Sequence, residues 1–256
     1  MDDLLARTAS SLAIAAVGIG LMWAGGVWFL GLCAAAGAVM VWELARMLGA
    51  RRAALPLALV SGAAVFAAGF LPVSVVLPLI LMPALLGLPG LGSNRAIWSA
   101  FAFAILLAAV GLYVLREDHG FVWVAWLVCI VIASDVCGYF AGRLIGGPKF
   151  WPRVSPKKTW SGTVAGWIGA AAVGGAFMGP TGAGPGIIGI SVAVAMAGQL
   201  GDIAESAVKR RTGIKDSSNL IPGHGGLFDR FDALLGASVF LLVVGQIAGF
   251  PPGAAP

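Results

Sequence analysis

The chain has 256 residues, of which 59% are hydrophobic and only 11% are charged, and its net charge is +5. With a mean hydropathy of +0.96, this composition excludes an ordinary soluble domain and indicates an integral membrane protein. The three cysteines, Cys33, Cys129 and Cys137, lie inside apolar segments without CxxC spacing, so neither a disulfide framework nor a zinc site is expected. No nucleic-acid partner is expected either.

The apolar runs divide into nine predicted membrane spans of roughly 20 residues or slightly fewer. The first run breaks at Gly25-Gly26, and four prolines make the region from 53 to 88 irregular. One segment of that region is therefore a candidate for a tilted or re-entrant course. We expect an all-α, polytopic fold with about nine transmembrane helices. The predicted spans lie near 9–24, 27–46, 53–70, 72–88, 96–115, 121–145, 161–179, 186–208 and 230–250.

The basic residues indicate the orientation of the chain in the membrane. With the amino terminus in the cytoplasm, every Lys and Arg except Arg116 lies on the cytoplasmic side, as the excess of positive charge in cytoplasmic loops predicts. Asp2 and Asp3 precede the first apolar segment, so no cleavable signal peptide is expected. We expect a protein of the bacterial inner membrane whose functional site faces the cytoplasm.

Polar residues are distributed unequally along the chain. The stretch from Ser134 to Asp232 carries ten of the 16 Lys and Arg residues and six of the 11 Asp and Glu residues. We therefore predict amino-terminal anchoring helices over 1–128 and a catalytic membrane domain over 129–256, or both parts within one continuous fold.

Two stripes of small residues at four-residue spacing predict close helix packing. In lipid the hydrophobic effect does not drive helices together, and small residues let their backbones approach. The stripes are Gly138, Gly142 and Gly146, and Gly162, Gly166, Ala170 and Gly174.

Three polar segments are expected to converge on the cytoplasmic side. In the first, Asp135, Tyr139 and Arg143 follow at four-residue steps, so a helix places them on one face. An Asp within a membrane span is costly unless it is paired or binds a metal, so Asp135 is a candidate for nucleotide or metal binding. The alternative is that Asp135 pairs with Arg143 or a neighbouring helix and only fixes packing.

The second segment, 147–162, places Lys157 and Lys158 between Ser155-Pro156 and Thr159, which predicts a short rigid turn. The turn would present two ammonium groups and two hydroxyls at the membrane surface. They are candidates for binding a polyanion. Anchoring to anionic lipid, worth about 1 kcal/mol per basic residue, is the alternative.

The third segment begins on a helix and continues through a polar island at 206–232. Asp202 and Lys209 share one helical face with Glu205 and Ser206. Further along, Asp229 and Asp232 lie at the start of the final helix, where carboxylates complement the helix dipole and can also bind a cation.

The loop at 222–226 reads Pro-Gly-His-Gly-Gly and precedes these carboxylates. Its glycines allow backbone amides to face phosphate oxygens near a helix start. His224 is a candidate base, metal ligand or phosphate donor. No second His or Cys lies beside it, so a transition-metal site is not expected.

These motifs resemble the signature of the phosphatidate cytidylyltransferases, also called CDP-diacylglycerol synthases. The family pattern S-x-x-K-R-x(4)-K-D-x(5)-P-G-H-G-G-x-x-D-R-x-D matches 206–232, and the elements D-x-x-x-Y-x-x-G-R and S-P-K-K-T match 135–143 and 155–159. The resemblance covers roughly 130–235. Similar enzymes continue S-P-K-K-T with a variable residue and Glu-Gly, whereas this chain has Trp160, Ser161 and Gly162. Any contribution of that Glu to metal or nucleotide binding is therefore missing here.

The resemblance implies condensation of CTP with phosphatidate, giving CDP-diacylglycerol and pyrophosphate at the cytoplasmic leaflet. It also implies Mg2+ held by Asp202 and Asp229, with a second, monovalent cation such as K+ nearby. Asp135, Asp216 and Asp232 are further candidates for metal binding or for its support. The expected catalytic residues are Asp135, Lys158, Asp202, Lys209 and Asp229. The expected substrate-binding residues are Arg143, Ser155, Lys157, Lys158, Thr159, Lys209, Arg210, Lys215, His224, Gly225, Gly226 and Arg230.

Three other functions are weighed against this one. A purely structural or lipid-scaffold protein would place carboxylates among anionic headgroups with no cation to offset them. A CTP-dependent lipid-alcohol kinase of the dolichol or phytol type resembles these synthases in its membrane core, but its lipid hydroxyl would attack the γ-phosphorus and need a general base. A cation or phosphate transporter would explain Asp135 and Asp202 and leave the loop at 222–226 without a purpose. The expected partners are CTP, phosphatidate and membrane lipids, and a homodimer is expected from the glycine faces and from similar enzymes.

Overall fold

The computed structural model describes residues 15–221 and 225–252. The apolar runs form helices because lipid offers no hydrogen bonds, so each segment must pair its own backbone groups. Two short 3-10 turns, Leu88–Gly90 and Gly92–Asn94, precede the fifth helix. The elements are α1 (Ala15–Ala24), α2 (Gly26–Met47), α3 (Ala54–Ala68), α4 (Val73–Leu86), α5 (Arg95–His119), α6 (Phe121–Leu144), β1 (Lys149–Trp151), β2 (Ser155–Thr159), α7 (Trp160–Thr181), α8 (Gly186–Thr212) and α9 (Phe228–Ala248).

The fold is that of a helical, polytopic membrane protein, as predicted, and the described helices overlap all of the predicted spans. By length and composition, six of the described helices, α2 and α5 to α9, can cross a membrane. Helices α3 and α4 have 15 and 14 residues, which is about 21–23 Å at 1.5 Å per residue and short of a hydrocarbon core of about 30 Å. Pro78 and Pro83 lie inside α4, where irregularity was expected. Nine crossings and a cytoplasmic amino terminus stay predictions.

The chain forms two compact units. The first comprises Met1–Glu117 and Arg211–Phe231, and the second comprises Asp118–Arg210 and Asp232–Pro256. These units do not test the predicted division into anchoring helices over 1–128 and a catalytic domain over 129–256, which stays a prediction.

In the first unit, the break between α1 and α2 is held by the end of α5. Arg116 donates from Nε to Met22 O at 2.7 Å and from Nη2 to Trp23 O at 2.9 Å. Glu117 Oε1 accepts from Gly26 N at 2.8 Å. The cation satisfies carbonyls at the end of α1 and the carboxylate satisfies an amide at the start of α2. The one basic residue predicted outside the cytoplasm therefore has a structural use.

In the second unit, α6 and α7 meet through the predicted glycine stripes. A Cβ on Gly162 would lie 2.5 Å from Gly138 O, so this helix spacing requires glycine. Gly146 does not belong to the stripe, and that part of the prediction was wrong. Helix α6 ends at Leu144, and Gly146 has φ +67° in the loop that follows, because the chain turns there into β1.

The segment predicted as a turn around Lys157 and Lys158 is instead the strand β2, so the fold is not wholly helical. Pro156 is tolerated because a two-stranded ribbon has edges that need no N–H donor. Consecutive side chains of a strand point to opposite faces, and Lys157 is exposed whereas Lys158 is half-buried. The antiparallel register pairs Lys149 with Thr159 and Trp151 with Ser155.

Candidate functional site

A cavity of about 390 Å3 lies between α6, β2 and α7 in the second unit. Its volume falls within the range of about 300–1,000 Å3 that is typical of small-molecule sites. Three basic side chains and one carboxylate face it, so the cavity suits a ligand with several negative charges. The structure thus brings the first two predicted polar segments together. Of the predicted site residues, the cavity is lined by Asp135, Arg143, Ser155, Lys157, Lys158 and Thr159.

The face of α6 towards the cavity carries Asp135, Tyr139 and Arg143, as the four-residue spacing predicts. Arg143 Nη1 donates to Tyr139 Oη at 2.8 Å. Among the described residues, no ion pair joins Asp135 to Arg143. The alternative in which Asp135 pairs with a neighbouring helix and only fixes packing stays open.

Lys158 extends from β2 to the carboxylate of Asp202 on α8. The ammonium group lies 2.7 Å from Asp202 Oδ2 and makes a longer contact of 3.4 Å with Gln199 O. The other oxygen, Asp202 Oδ1, accepts only weakly from Ser206 Oγ, at 3.5 Å. With side chains 20% and 33% exposed, Lys158 and Asp202 form a partly buried ion pair beside the cavity wall.

Gln199 organises the junction of α6, α7 and α8, and the sequence analysis did not single it out. Its Nε2 donates to Ser134 Oγ at 3.2 Å and to Thr163 O at 3.3 Å, and its Oε1 accepts from Trp167 Nε1 at 3.0 Å. These three bonds fix the helix turn that precedes Asp202. The sequence could have indicated Gln199, because it is a single amide side chain in an uncharged span, three residues before Asp202. Polar groups within a membrane span usually have a function.

Thr159 has a capping role that its predicted assignment to substrate binding did not include. It is 4% exposed, it is the N-cap of α7, and its hydroxyl accepts from Gly162 N at 3.2 Å. Ser161, which stands where similar enzymes have Glu, donates to Gly146 O and bonds the Thr159 hydroxyl at 3.0 Å. Ser161 therefore closes the base of the 146–161 hairpin loop.

Two further predicted residues lie on α8, away from the cavity lining. Lys209 pairs with Glu205 at 2.5 Å, and the side chain of Glu205 is 1% exposed. Arg210 Nε donates to Val154 O at 3.4 Å. The sequence analysis noted Glu205 only as a member of the helical face, whereas the structure shows it as the buried partner of Lys209.

In the first unit, Asp229 holds the segment that precedes α9. Its Oδ2 accepts from Ser217 N at 2.8 Å, from Ser217 Oγ at 2.9 Å and from Gly226 N at 2.8 Å. Gly225 has φ +87°, a conformation that favours glycine. At Gly226, a Cβ would collide with Ser217 Oγ and Glu43 Oε1. Gly225 and Gly226, the two glycines of the motif that the structure describes, thus each have a steric reason.

The remaining predicted residues are spread over the two units. In the first unit, Lys215, Asp216 and Arg230 are exposed. In the second unit, Asp232 Oδ1 accepts from Ala233 N at 2.7 Å. His224 lies outside the described residues, so its predicted role stays a prediction. Across 15–221 and 225–252, no group of three or more His, Cys, Asp or Glu side chains is placed to hold a metal ion.

The fold and the site define an integral membrane protein with a basic cavity at the ends of its helices. The sequence pattern of the cytidylyltransferase family matches residues 5–248, and the chain belongs to that family, whose members are nucleotidyltransferases. It is 35% identical to the phosphatidate cytidylyltransferase of Brucella suis over 268 residues, which is 98% of this chain and 96% of that protein. The enzymes of the same name from Haemophilus influenzae and Helicobacter pylori are 40% and 38% identical, over 57% and 56% of this chain and 56% and 55% of theirs.

Proposed function

We propose that this protein is a phosphatidate cytidylyltransferase, which condenses CTP with phosphatidate to give CDP-diacylglycerol and pyrophosphate for phospholipid synthesis. The observation that carries the proposal is the match to a relative of that name along almost the full length of both chains. The basic cavity in a membrane protein supports it, because both substrates are anionic and one of them is a lipid.

In the reaction, a phosphate oxygen of phosphatidate forms a bond to the α-phosphorus of CTP. The bond between the α-phosphorus and the bridging oxygen breaks, and pyrophosphate leaves with its electron pair. The nucleophile is already anionic, so no covalent enzyme intermediate is required. The main obstacle is the mutual repulsion of two polyanions, which enzymes overcome by positioning and charge neutralisation.

The residues around the cavity suit that task. Arg143 and Lys157 would bind phosphate oxygens at the cavity mouth, and Ser155 would donate a hydrogen bond. Lys158 would stabilise the charge that develops at the α-phosphate, with Asp202 keeping its ammonium group in position. Glu205 would hold Lys209 ready for a phosphate group.

A magnesium ion fits the donor set around Asp202. Mg2+ is usually held by one or two carboxylates, with waters and substrate phosphates as the other ligands, so a cage of three protein carboxylates is not required. The Lys158 ammonium already places a positive charge beside Asp202 Oδ2, and the donor to Oδ1 among residues 15–221 and 225–252 is the weak one from Ser206. Asp202 would hold Mg2+, which would supply neutralisation of the triphosphate and of the leaving pyrophosphate. Asp229 as a second ligand, and K+ as a second cation, remain proposals from the family resemblance.

The finer setting of the enzyme is also a proposal. The distribution of basic residues supports an inner-membrane protein with a cytoplasmic amino terminus and a cytoplasmic active site. A homodimer is proposed on the family resemblance.

The test is a mixed-micelle assay of the purified full-length protein with phosphatidate and CTP labelled in the cytidine ring. We expect label to enter the lipid phase only when phosphatidate and Mg2+ are both present, with release of one pyrophosphate per lipid product. The Asp202→Asn protein, purified in the same way, is the matched control. Failure of the folded wild-type protein to form a cytidine-labelled lipid would contradict the proposal.

A further inference from the structure

We propose that Glu43, a buried carboxylate on α2, is a positioning residue that holds the segment carrying Asp229 and Arg230 in its catalytic arrangement. The inference rests on the proposed function and extends it to a residue far outside the signature. In sequence, Glu43 lies 175 residues before its first partner in that segment. Both lie in the first unit.

Glu43 is fully buried, with 0% of its surface exposed. Its Oε1 accepts from Ser218 Oγ at 2.5 Å and from Leu227 N at 2.9 Å, and its Oε2 accepts from Phe228 N at 2.7 Å. A buried carboxylate is very costly unless hydrogen bonds satisfy it. Glu43 has three such bonds, and all of them go to one short segment.

Two of these bonds, from Leu227 N and Phe228 N, satisfy backbone amides at the start of α9. Helix α9 begins at Phe228, and the first amides of a helix have no partner within it. They are usually satisfied by a Ser, Thr, Asp or Asn at the N-cap, but the residue before this helix is the apolar Leu227. Glu43 supplies the acceptor from another helix, and its negative charge complements the positive end of the helix dipole.

A second carboxylate holds the same segment from within. Asp229 Oδ2 bonds the amide and hydroxyl of Ser217 and the amide of Gly226. Glu43 bonds the next residue on each side, Ser218 and Leu227. The two carboxylates therefore bind neighbouring residues in the same two stretches of chain, 217–218 and 226–227, which lie on either side of 222–224.

The consequence concerns catalysis more than folding. Asp229 is the first-turn residue of a helix whose start Glu43 fixes, so a shift of that start moves Asp229. Displacements of about 1 Å caused by residues remote from the chemistry can cost about 10²-fold in rate. We therefore expect Glu43 to affect kcat and the Mg2+ requirement more than the KM for CTP.

The experiment compares Glu43→Gln with Leu44→Ala in the full-length protein. Gln keeps the size of the side chain but has one acceptor oxygen in place of two. Leu44 is the next residue on α2 and is equally buried, so its truncation reports the effect of a damaged core alone. Thermal unfolding, kcat, KM for CTP and the Mg2+ concentration for half-maximal rate are measured for each protein. Amide hydrogen exchange at 225–231 is followed in parallel.

For Glu43→Gln we expect a fall in kcat of about 10- to 100-fold, a change in KM for CTP below threefold, a higher Mg2+ requirement and faster exchange at Leu227 and Phe228. For Leu44→Ala we expect a lower Tm with kcat within threefold of wild type. If Glu43→Gln does not fold, Ser218→Ala, which removes one of the three bonds, should show the same effects on a smaller scale.

Three results would overturn the inference: unchanged exchange at Leu227 and Phe228, a kcat within twofold of wild type, or losses of kcat that follow Tm equally in both variants. Failure of the proposed function would look different. In that case wild-type protein would form no cytidine-labelled lipid, whereas the exchange measurement would still report whether Glu43 holds the segment.

Discussion

Replacement of Lys158 by Met is the perturbation whose effect the structure defines most fully. Met keeps the apolar stem and removes the ammonium group, which lies 2.7 Å from Asp202 Oδ2 between side chains that are 20% and 33% exposed. At an effective dielectric constant of about 20, Coulomb's law gives a gross attraction of about 6 kcal/mol at this separation. Desolvation of the two charges offsets most of it.

The net loss of stability should be that of one charge-assisted hydrogen bond, about 1.5–3 kcal/mol, and the lower end applies because Asp202 is a third exposed. The catalytic loss should be larger. Removal of one preorganised donor from a developing charge costs about 10²–10³-fold in kcat, or about 2.7–4 kcal/mol. Expressed as free energy, the loss in kcat should therefore exceed the loss in the free energy of unfolding.

The assay measures initial rates of cytidine transfer in micelles as CTP and phosphatidate are varied separately, with unfolding followed on the same samples. Lys149→Met, at an exposed position of β1, is the control and should stay within threefold of wild type. A folded Lys158→Met protein with kcat/KM within threefold of wild type would refute the assignment of Lys158 to the substrate phosphates.

Three further predictions concern a carboxylate, a helix contact and the orientation of the chain. Asp202→Asn should lose about 10²–10³-fold in kcat while still purifying from the membrane as a folded protein, and near-normal activity would remove Asp202 from the metal site. Gly162→Ala should lower the free energy of unfolding by about 1–3 kcal/mol, because its Cβ would lie 2.5 Å from Gly138 O. Gly175→Ala on the same helix is the control and should not, because its Cβ would have nothing within 4 Å. Equal unfolding temperatures for the two variants would contradict this packing. A cysteine at Arg153 should react with a membrane-impermeant maleimide in inverted vesicles but not in intact spheroplasts, and the reverse would overturn the cytoplasmic orientation.

Much of the fold could be predicted from the sequence because each span is specified locally. A helix in lipid must form its backbone hydrogen bonds within itself. The apolar runs, together with the break at Gly25-Gly26, were therefore enough to locate the helices. The hairpin was missed because Pro156 and two adjacent lysines favour a turn when considered alone. Pairing with Lys149–Trp151 decides the conformation, and that pairing is a contact that local sequence does not show.

The site was predictable where a motif carries its own chemistry. Asp135 and Arg143 lie on one face of α6 because a helix repeats every 3.6 residues, and Lys158 was recognisable from its motif. Glu43 was not, because its partners lie about 175 residues away and it looks like an ordinary polar residue near a helix end. Ser217 was missed for a related reason: it occupies a variable position of the signature, although its hydroxyl and amide both bond Asp229.

The central claim is cytidylyl transfer to phosphatidate, and the most direct measurement follows which phosphorus of CTP reaches lipid. Purified protein in micelles with Mg2+ is given phosphatidate and, in parallel tubes, a long-chain lipid alcohol, each with CTP labelled at either the α- or the γ-phosphate. The account predicts that α-label enters lipid only with phosphatidate, while γ-label leaves as pyrophosphate. Transfer of γ-label to the alcohol, with no α-label in lipid, would contradict it and identify a lipid-alcohol kinase.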